Sequence, residues 1–260
     1  MKNILIPFDF SEVSMNALKY AIQFAGKDQT LKLHLLYVSG TAMEKEVEEK
    51  LQQKFRTLIL QYKGHVMPEI LFTLKTGELI NTIEGIREKQ GIDLVIMGTK
   101  GAETGENRVS QTSKFVLDAD LPVLVIPPNY VFQLNKILLA LGEDEMHDKA
   151  TLNVLLDVSR NWNAEVHVLT VSKNKENLGY SEADERNENT LQYYLENFYS
   201  HHSFSENEDI VQGIDDYIKK NNIDMLAIMP NTHLTASKPS KGKLTQVLTL
   251  KSNIPVLVLD

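Results

Sequence analysis

The sequence contains no cysteine in its 260 residues. This absence excludes disulfide bonds, thiolate metal ligands and a cysteine nucleophile, and it agrees with a reducing compartment. No apolar run has the length of a membrane span, and the first one is cut short by Pro7 and Asp9, before it reaches the length of a signal peptide. We therefore expect a cytoplasmic protein that has no membrane partner.

Basic residues are fewer than acidic residues. The chain has 27 Lys and Arg against 35 Asp and Glu, a formal net charge of −8. Residues 131–260 hold 12 of the basic and 19 of the acidic side chains, so their net charge is −7. Such a surface repels a phosphate backbone and anionic lipid, and nucleic acid is therefore not an expected partner.

Several motifs of catalysis are missing. The sequence has no Gly-x-Gly-x-x-Gly, Gly-x-x-x-x-Gly-Lys-Ser/Thr, Gly-x-Ser-x-Gly or His-Glu-x-x-His. Their absence removes dinucleotide, P-loop, serine hydrolase and zincin sites at the level of motifs. We predict no catalytic residue. The second half offers one weak group of cation ligands without a recognisable spacing, for which an exposed acidic loop is the better interpretation, and we predict no metal site. The group is Glu143, Asp144, His147 and His233.

The other histidines have unremarkable predicted roles. His34 and His167 fall inside predicted strands, where a packed or edge histidine is the favoured interpretation. His201 and His202 are neighbours, and we expect their side chains to diverge.

The chain does contain a regular alternation of strand and helix patterns. The apolar run of residues 3–8 is typical of a strand covered on both faces, and the helical pattern after Ser11 ends at Gly26. Further strands are predicted at 31–38, 66–74, 94–97 and 122–126, with helices between them. This alternation predicts an α/β domain with a mostly parallel five-stranded sheet and helices on both faces.

The pattern then occurs a second time. Leu121–Ile126 matches Ile254–Leu259, and Pro122 and Pro255 lie 133 residues apart; Asp93 and Asp224, each within a similar triplet, lie 131 apart. Nearly constant offsets indicate a duplicated domain, with limits at 1–128 and 135–260. In the second copy the polar stretch 173–189 is predicted to be an exposed loop that leads into a helix with Leu191 and Phe198.

The candidate binding residues lie where strands of the first half end, because ligands of open parallel sheets bind beyond the carboxyl ends of the strands. Glycines there let a backbone approach phosphate closely, and hydroxyls at a helix start add donors. The candidates are Pro7, Asp9, Val38, Met97, Gly98, Gly101, Thr112 and Ser113.

The first half resembles the universal stress protein family. The resemblance rests on Ile4-Leu-Ile-Pro-Phe-Asp9-Phe-Ser, Leu35-Leu-Tyr-Val38, Thr76-Gly77-Glu78, Asp93-Leu-Val-Ile-Met-Gly98-Thr-Lys-Gly101 and Pro122-Val-Leu-Val-Ile, in the family's order. It implies two tandem Rossmann-like domains of the adenine nucleotide alpha hydrolase-like type and a non-catalytic role in the stress response. It further implies that Asp9 and Val38 contact adenosine, and that Gly98, Gly101 and Thr112 lie along the phosphates.

Two features depart from the family's ATP-binding pattern of Gly, two residues, Gly, nine residues and Gly-Ser or Gly-Thr. Gln111 occupies the place of the third glycine, and Glu103 and Glu106 put negative charge where a phosphate tail would lie. We therefore expect weak binding of ATP or AMP, in the N-terminal domain only. Gly142 replaces the acidic residue in the second half, and residues 229–233 lack the glycines.

The alternative functions are a ligand-free interaction scaffold in which both pockets are vestigial and, below it, an ATP-hydrolysing enzyme, for which no base or metal cluster is identifiable. Gly98 and Gly101 would then merely turn the chain, and Asp9 would cap its neighbour. For assembly, the apolar strands 123–126 and 256–259 are predicted to end their sheets. We expect them to cover each other as an intramolecular pseudo-dimer, and a homodimer of whole chains stays open.

Overall fold

The computed structural model describes residues 1–26, 28, 30–62, 68–101, 111–142, 144–146, 149, 151–173, 178–179, 181–230 and 242–259. Its contacts divide the chain into two compact units, Met1–Lys100 with Asp118–Phe132, and Gly101–Leu117 with Gln133–Asp260. The domain limits 1–128 and 135–260 stay a prediction.

The first half of the chain alternates strand and helix throughout. Its elements are β1 (Asn3–Pro7), α1 (Glu12–Ala25), β2 (Lys32–Ser39), α2 (Lys45–Gln61), β3 (Glu69–Thr76), α3 (Leu79–Gln90), β4 (Leu94–Gly98), α4 (Gln111–Asp118) and β5 (Val123–Ile126). Residues 111–117 of α4 belong to the second compact unit.

The second half repeats this order. Its elements are β6 (Lys136–Leu141), α5 (Leu152–Trp162), β7 (Glu165–Ser172), α6 (Glu182–Leu195), a short 3-10 helix (Glu196–Phe198), β8 (Tyr199–Glu206), α7 (Ile210–Asn221), β9 (Met225–Ile228), α8 (Lys243–Lys251) and β10 (Val256–Val258). The predicted α/β fold with parallel strands is confirmed.

Both units arrange five parallel strands in the same order. The first has β3-β2-β1-β4-β5 and the second has β8-β7-β6-β9-β10. The registers correspond too, since Ile4 pairs with Leu94 in the first unit and Ile137 pairs with Met225 in the second. In each sheet the chain order reverses next to the first strand, where ligands of such folds bind.

The central strands form the core because both of their faces are covered. Ile4, Leu5 and Ile6 of β1 are fully buried, as are Ile137, Leu138 and Leu139 of β6. Burying one such side chain contributes about 1.5–3 kcal/mol, which explains the uninterrupted apolar runs in the sequence. A search of the described helices for one with the length and apolarity of a membrane span finds none.

The repeated aspartate ties the fourth strand of each sheet to the first. Asp93 Oδ2 accepts hydrogen bonds from the backbone N–H groups of Lys2 (2.5 Å) and Asn3 (2.9 Å). Asp224 Oδ2 accepts the equivalent bonds from Asn135 (2.7 Å) and Lys136 (3.0 Å). The triplet that revealed the duplication therefore marks a structural connection, which fixes where β1 and β6 begin.

The prediction of an exposed loop over 173–189 is wrong in its second part, because α6 begins at Glu182. Ser181 and Asp184 form a reciprocal capping box that stabilises this start. The buried Asn187 accepts from the N–H of Met146 (2.8 Å) and donates to the carbonyl of Asp144 (3.0 Å). A helix held by polar contacts shows little apolar periodicity, so the sequence pattern did not reveal it.

Candidate functional site

The end of β1 forms a hydrogen-bonded turn around Asp9. The Asp9 carboxylate accepts from the N–H of Ser11 (3.0 Å), and Ser11 Oγ in turn accepts from the N–H of Ser14 (3.2 Å) as the N-cap of α1. The N–H of Asp9 donates to Ser14 Oγ (3.4 Å). Both interpretations of Asp9 retain support, because it caps its neighbour and its side chain is exposed at a strand end.

Asp9 remains ionised over the physiological pH range. Partial burial raises the pKa of its carboxyl, but the hydrogen bonds from Ser11 and Ser14 outweigh that effect, and the pKa lies below its usual value. A fixed carboxylate can accept hydrogen bonds from ligand hydroxyl or amino groups.

The neighbouring strands place three further candidates at the same end of the first sheet. Pro7 ends β1 and pairs with Leu36 of β2, while Val38 lies near the end of β2. Met97 lies one residue before the end of β4. β1 lies between β2 and β4. The structure therefore brings Pro7, Asp9, Val38 and Met97 to the carboxyl ends of adjacent strands, where the chain order reverses.

Gly98, the last residue of β4, has a packing role that the sequence did not reveal. A Cβ atom added there would lie 2.4 Å from the Val13 carbonyl oxygen and 2.7 Å from Val13 Cγ1. The first turn of α1 therefore approaches β4 as closely as it does only because residue 98 has no side chain. This packing alone accounts for a glycine at position 98, and no bound phosphate is needed to explain it.

The remaining candidates precede and follow the predicted phosphate loop. Gly101 has a φ of 77°, a left-handed conformation that favours glycine. Thr112 is half-buried and Ser113 is buried in α4. These three belong to the second compact unit. The loop 102–110, with Glu103 and Glu106, lies outside the described residues.

An aromatic cluster beside Asp9 was missed at the sequence level. Phe10 has a φ of 64°, and its ring centroid lies 5.0 Å from that of Phe8 and 4.6 Å from that of Phe55. Phe55 stacks on Phe72 at 4.9 Å, and Lys54 Nζ lies 5.7 Å from the Phe10 centroid. A left-handed phenylalanine is uncommon, and it turns a half-buried ring next to the candidate carboxylate. The signal that could have revealed the cluster was the Phe-Asp-Phe sequence at the strand end.

The histidines mostly behave as expected. His34 Nε2 lies 3.0 Å from Asn3 Oδ1, and His167 is buried with Nδ1 3.2 Å from the Tyr217 hydroxyl. His201 Nε2 also contacts that hydroxyl (3.0 Å), whereas His202 Nε2 contacts Thr170 Oγ1 (2.9 Å). The neighbouring histidines therefore diverge. Among the described residues, which include Asp144 but not Glu143, His147 or His233, no group of three metal-ligating side chains occurs.

We expect stability to fall as the pH is lowered from 8 to 5. Burial lowers the pKa values of His34, His167 and His202 below 6.5. Around His167, Glu165 opposes this shift while His201 and Lys136 add to it, and Tyr217 is the nearby neutral partner. The unfolded chain then binds more protons, so this stability is complete above the unfolded pKa and is lost as the pH falls through the folded one.

The measurement is the midpoint of thermal unfolding against pH for the parent chain and for His167→Gln. The variant should show a shallower decline between pH 7 and 5. The carboxylates with lowered pKa values, Asp9, Asp28 and Glu165, act at lower pH, because their pKa values lie below the ordinary 3.8 of Asp and 4.5 of Glu. A decline confined to pH values below 4.5 would contradict the histidine explanation.

Sequence comparison finds similarity to known proteins over about half of the chain. Residues 1–127 match the model of the Universal stress protein family. A universal stress protein of Methanocaldococcus jannaschii is 27% identical over 144 residues, which are 48% of this chain and 81% of that protein.

Two solved structures are similar over the whole chain. A universal stress protein from Archaeoglobus fulgidus DSM 4304 has a TM-score of 0.72 at 18% identity and covers 100% of this chain and 98% of its own. A putative universal stress protein from Pseudomonas aeruginosa UCBPP-PA14 has a TM-score of 0.67 at 18% identity, with 100% and 93% covered. Identities this low show the fold alone. The family match is confined to residues 1–127, so the N-terminal half is the part of this chain that is similar to the Universal stress protein family.

Proposed function

We propose that this chain is a non-catalytic, cytoplasmic stress-response protein that binds AMP or adenosine weakly in its N-terminal half. The observation that carries the proposal is the ionised Asp9 carboxylate at the reversal point of the first sheet, at the same edge as Val38 and Met97. A ribose hydroxyl can donate to such a carboxylate, and the half-buried Phe10 ring adds an aromatic surface beside it.

Binding of ATP should be weaker than binding of AMP. Gln111 carries a side chain where the family's pattern has a glycine, and Glu103 and Glu106 add negative charge to the same segment. Each added phosphate would increase the repulsion, since like charges a few ångströms apart disfavour each other even near water. The proposed site consists of Pro7, Asp9, Val38, Met97, Gly98, Gly101, Thr112 and Ser113.

Calorimetry with adenosine, AMP and ATP tests the proposal. The double variant Gln111→Gly and Glu106→Lys should bind ATP more tightly than the parent chain, because it restores the glycine and reverses one charge. Asp9→Asn should weaken adenosine and AMP binding. Met229→Ala, in the second half, is the control and should change nothing. Tight ATP binding by the parent chain would refute the weakening by Gln111 and the glutamates.

A ligand-free interaction scaffold is the second candidate. It is favoured by one specific observation: Gly98 packs against Val13, and Asp9 closes a turn, so both residues have structural roles without a ligand. Mass spectrometry of ligands released from freshly purified protein separates the two candidates. No released nucleotide, together with no ATP binding by the double variant, would favour the scaffold. We rank ATP hydrolysis below both, because the sequence offers no base.

We also propose that the two halves form an internal pseudo-dimer through β5 and β10. Each is the last strand of its own five-stranded order and is wholly apolar. An uncovered apolar edge would invite open-ended pairing. Cutting the chain at a protease site inserted at 129–134 should leave the halves associated in gel filtration. Separation of the halves would reject the pairing, and light scattering of the uncut chain would reveal a homodimer.

A further inference from the structure

The second unit contains a cavity of about 180 Å³ at the carboxyl ends of β6, β7 and β9. Gly142, Val171 and Met229 are among the residues that line it. The strand registers make these the counterparts of Asp9, Val38 and Gly98, because Ile137 pairs with Val166 and Met225 as Ile4 pairs with Leu33 and Leu94. The second half therefore lacks the carboxylate and the glycine, and it has a cavity at the corresponding strand ends.

Most of the described side chains that line the cavity are aliphatic. Aliphatic side chains from both strands and helices line it, among them Leu169 of β7, Ile214 of α7 and Leu248 of α8. Within the part of the chain that the structure describes, none of the lining residues is charged, and Thr245 is the one with a hydroxyl. The described lining residues offer a phosphate no cationic side chain, and desolvating an unpaired charge is costly.

We propose that this cavity binds a small uncharged apolar molecule, with a single aromatic ring or a short alkyl chain and at most one hydrogen-bonding group. A cavity of about 150 Å³ lined by aliphatic and aromatic side chains is large enough for benzene, so the volume here suits a ligand of that size. Thr245 offers one hydroxyl to orient it. Met229 adds a flexible thioether that adapts to ligands of different shape.

The proposal goes beyond nucleotide binding, because it concerns the strand ends of the second half and an opposite ligand chemistry. The two halves would then respond to two ligands, the first to an adenine compound and the second to an apolar one. The two sites are tested with different probes, AMP and benzene, so one proposal can fail while the other stands.

Methyl-labelled protein titrated with benzene tests the proposal by NMR. We expect saturable shifts of the Ile210, Ile214 and Leu248 methyl signals, with the methyl signals of the first half unchanged. Ala140 is half-buried and lines the cavity, so Ala140→Leu should fill the space and weaken benzene binding by about tenfold or more.

A second variant tests the proposal even if Ala140→Leu fails to fold. Leu244 lines the cavity and is 43% exposed, so Leu244→Asp should place a charge at the rim and weaken binding without unfolding the protein. Leu60→Asp, at a 56% exposed position of α2, is the matched control and should bind benzene like the parent chain. AMP should produce no shifts at these methyl groups.

Three outcomes would overturn the proposal. The first is the absence of saturable shifts in the parent chain, and the second is equal benzene binding by the parent chain, Ala140→Leu and Leu244→Asp. The third is a set of AMP-induced shifts at Ile210 and Ile214, which would assign the cavity to a nucleotide.

Discussion

Gly98→Ala should lower the free energy of unfolding by about 3 kcal/mol, the upper end of the usual cost of overpacking. The added Cβ would meet the Val13 carbonyl oxygen at 2.4 Å and the Val13 carbonyl carbon at 3.0 Å. These are backbone atoms, so relief requires the start of α1 to move away from β4. The measurement is urea unfolding followed by circular dichroism.

Gly85→Ala is the matched control. Gly85 lies inside α3, and a Cβ added there would have no neighbour within 4 Å. Alanine replaces glycine in a helix interior with a gain of about 0.5–1 kcal/mol, so this variant should be more stable than the parent chain. Equal effects of the two substitutions would contradict the packing role of Gly98.

A double variant identifies which contact matters. Val13→Ala in the Gly98→Ala background removes the Cγ1 atom at 2.7 Å but leaves the carbonyl contact at 2.4 Å. We expect it to recover a minor part of the lost stability. Full recovery would show that the side chain, and not the helix backbone, is the obstacle.

The packing of Gly98 against α1 makes Gly98 a poor position at which to test nucleotide binding. A substitution at Gly98 that abolished binding would be equally well explained by a displaced α1, whose N-terminal cap includes Ser11 and Ser14 beside Asp9. Asp9→Asn and the changes at positions 106 and 111 are therefore the better tests of the proposed site.

The sequence predicted most of the fold because buried parallel strands leave uninterrupted apolar runs. The runs at β1, β4 and β5 were located correctly, and the duplication was visible in the matching ends. The start of α6 was missed because Ser181, Asp184 and Asn187 hold it through hydrogen bonds, which leave no apolar period. The Ser181–Asp184 capping pair is visible as a Ser-x-x-Asp motif, whereas Asn187 contacts Met146 and Asp144, which are distant in the sequence.

The candidate site stays a prediction, although the positions of some of its residues at the strand ends followed from the sequence. The strand-exit rule located Asp9 and Val38 at the edge of the sheet where the chain order reverses. The rule cannot tell a glycine that admits phosphate from one that admits a helix, because both need only a missing side chain. The cavity of the second unit was also invisible, since its side chains come from residues 140 to 248 and carry no motif.

Asp224→Ala should lower the free energy of unfolding by about 3 kcal/mol. Asp224 is 6% exposed, and its carboxylate accepts two backbone hydrogen bonds at the start of β6. A hydrogen bond to a charged group contributes about 1.5–3 kcal/mol. In the variant, water can hydrogen-bond to the N–H groups of Asn135 and Lys136, because these two residues are not fully buried, so the loss is less than that of two full bonds. Urea unfolding measures the loss.

Asp224→Asn and Asp93→Ala complete the series. Asparagine keeps one acceptor oxygen, and a single oxygen, Oδ2, accepts both bonds, so Asp224→Asn should lose only about 1 kcal/mol. Asp93 makes the same two bonds from a more exposed position, so Asp93→Ala should cost less than Asp224→Ala. If Asp224→Asn were as damaging as Asp224→Ala, the negative charge would be the essential feature. If neither mattered, the repeated aspartate would have no part in fixing the first strand of each sheet.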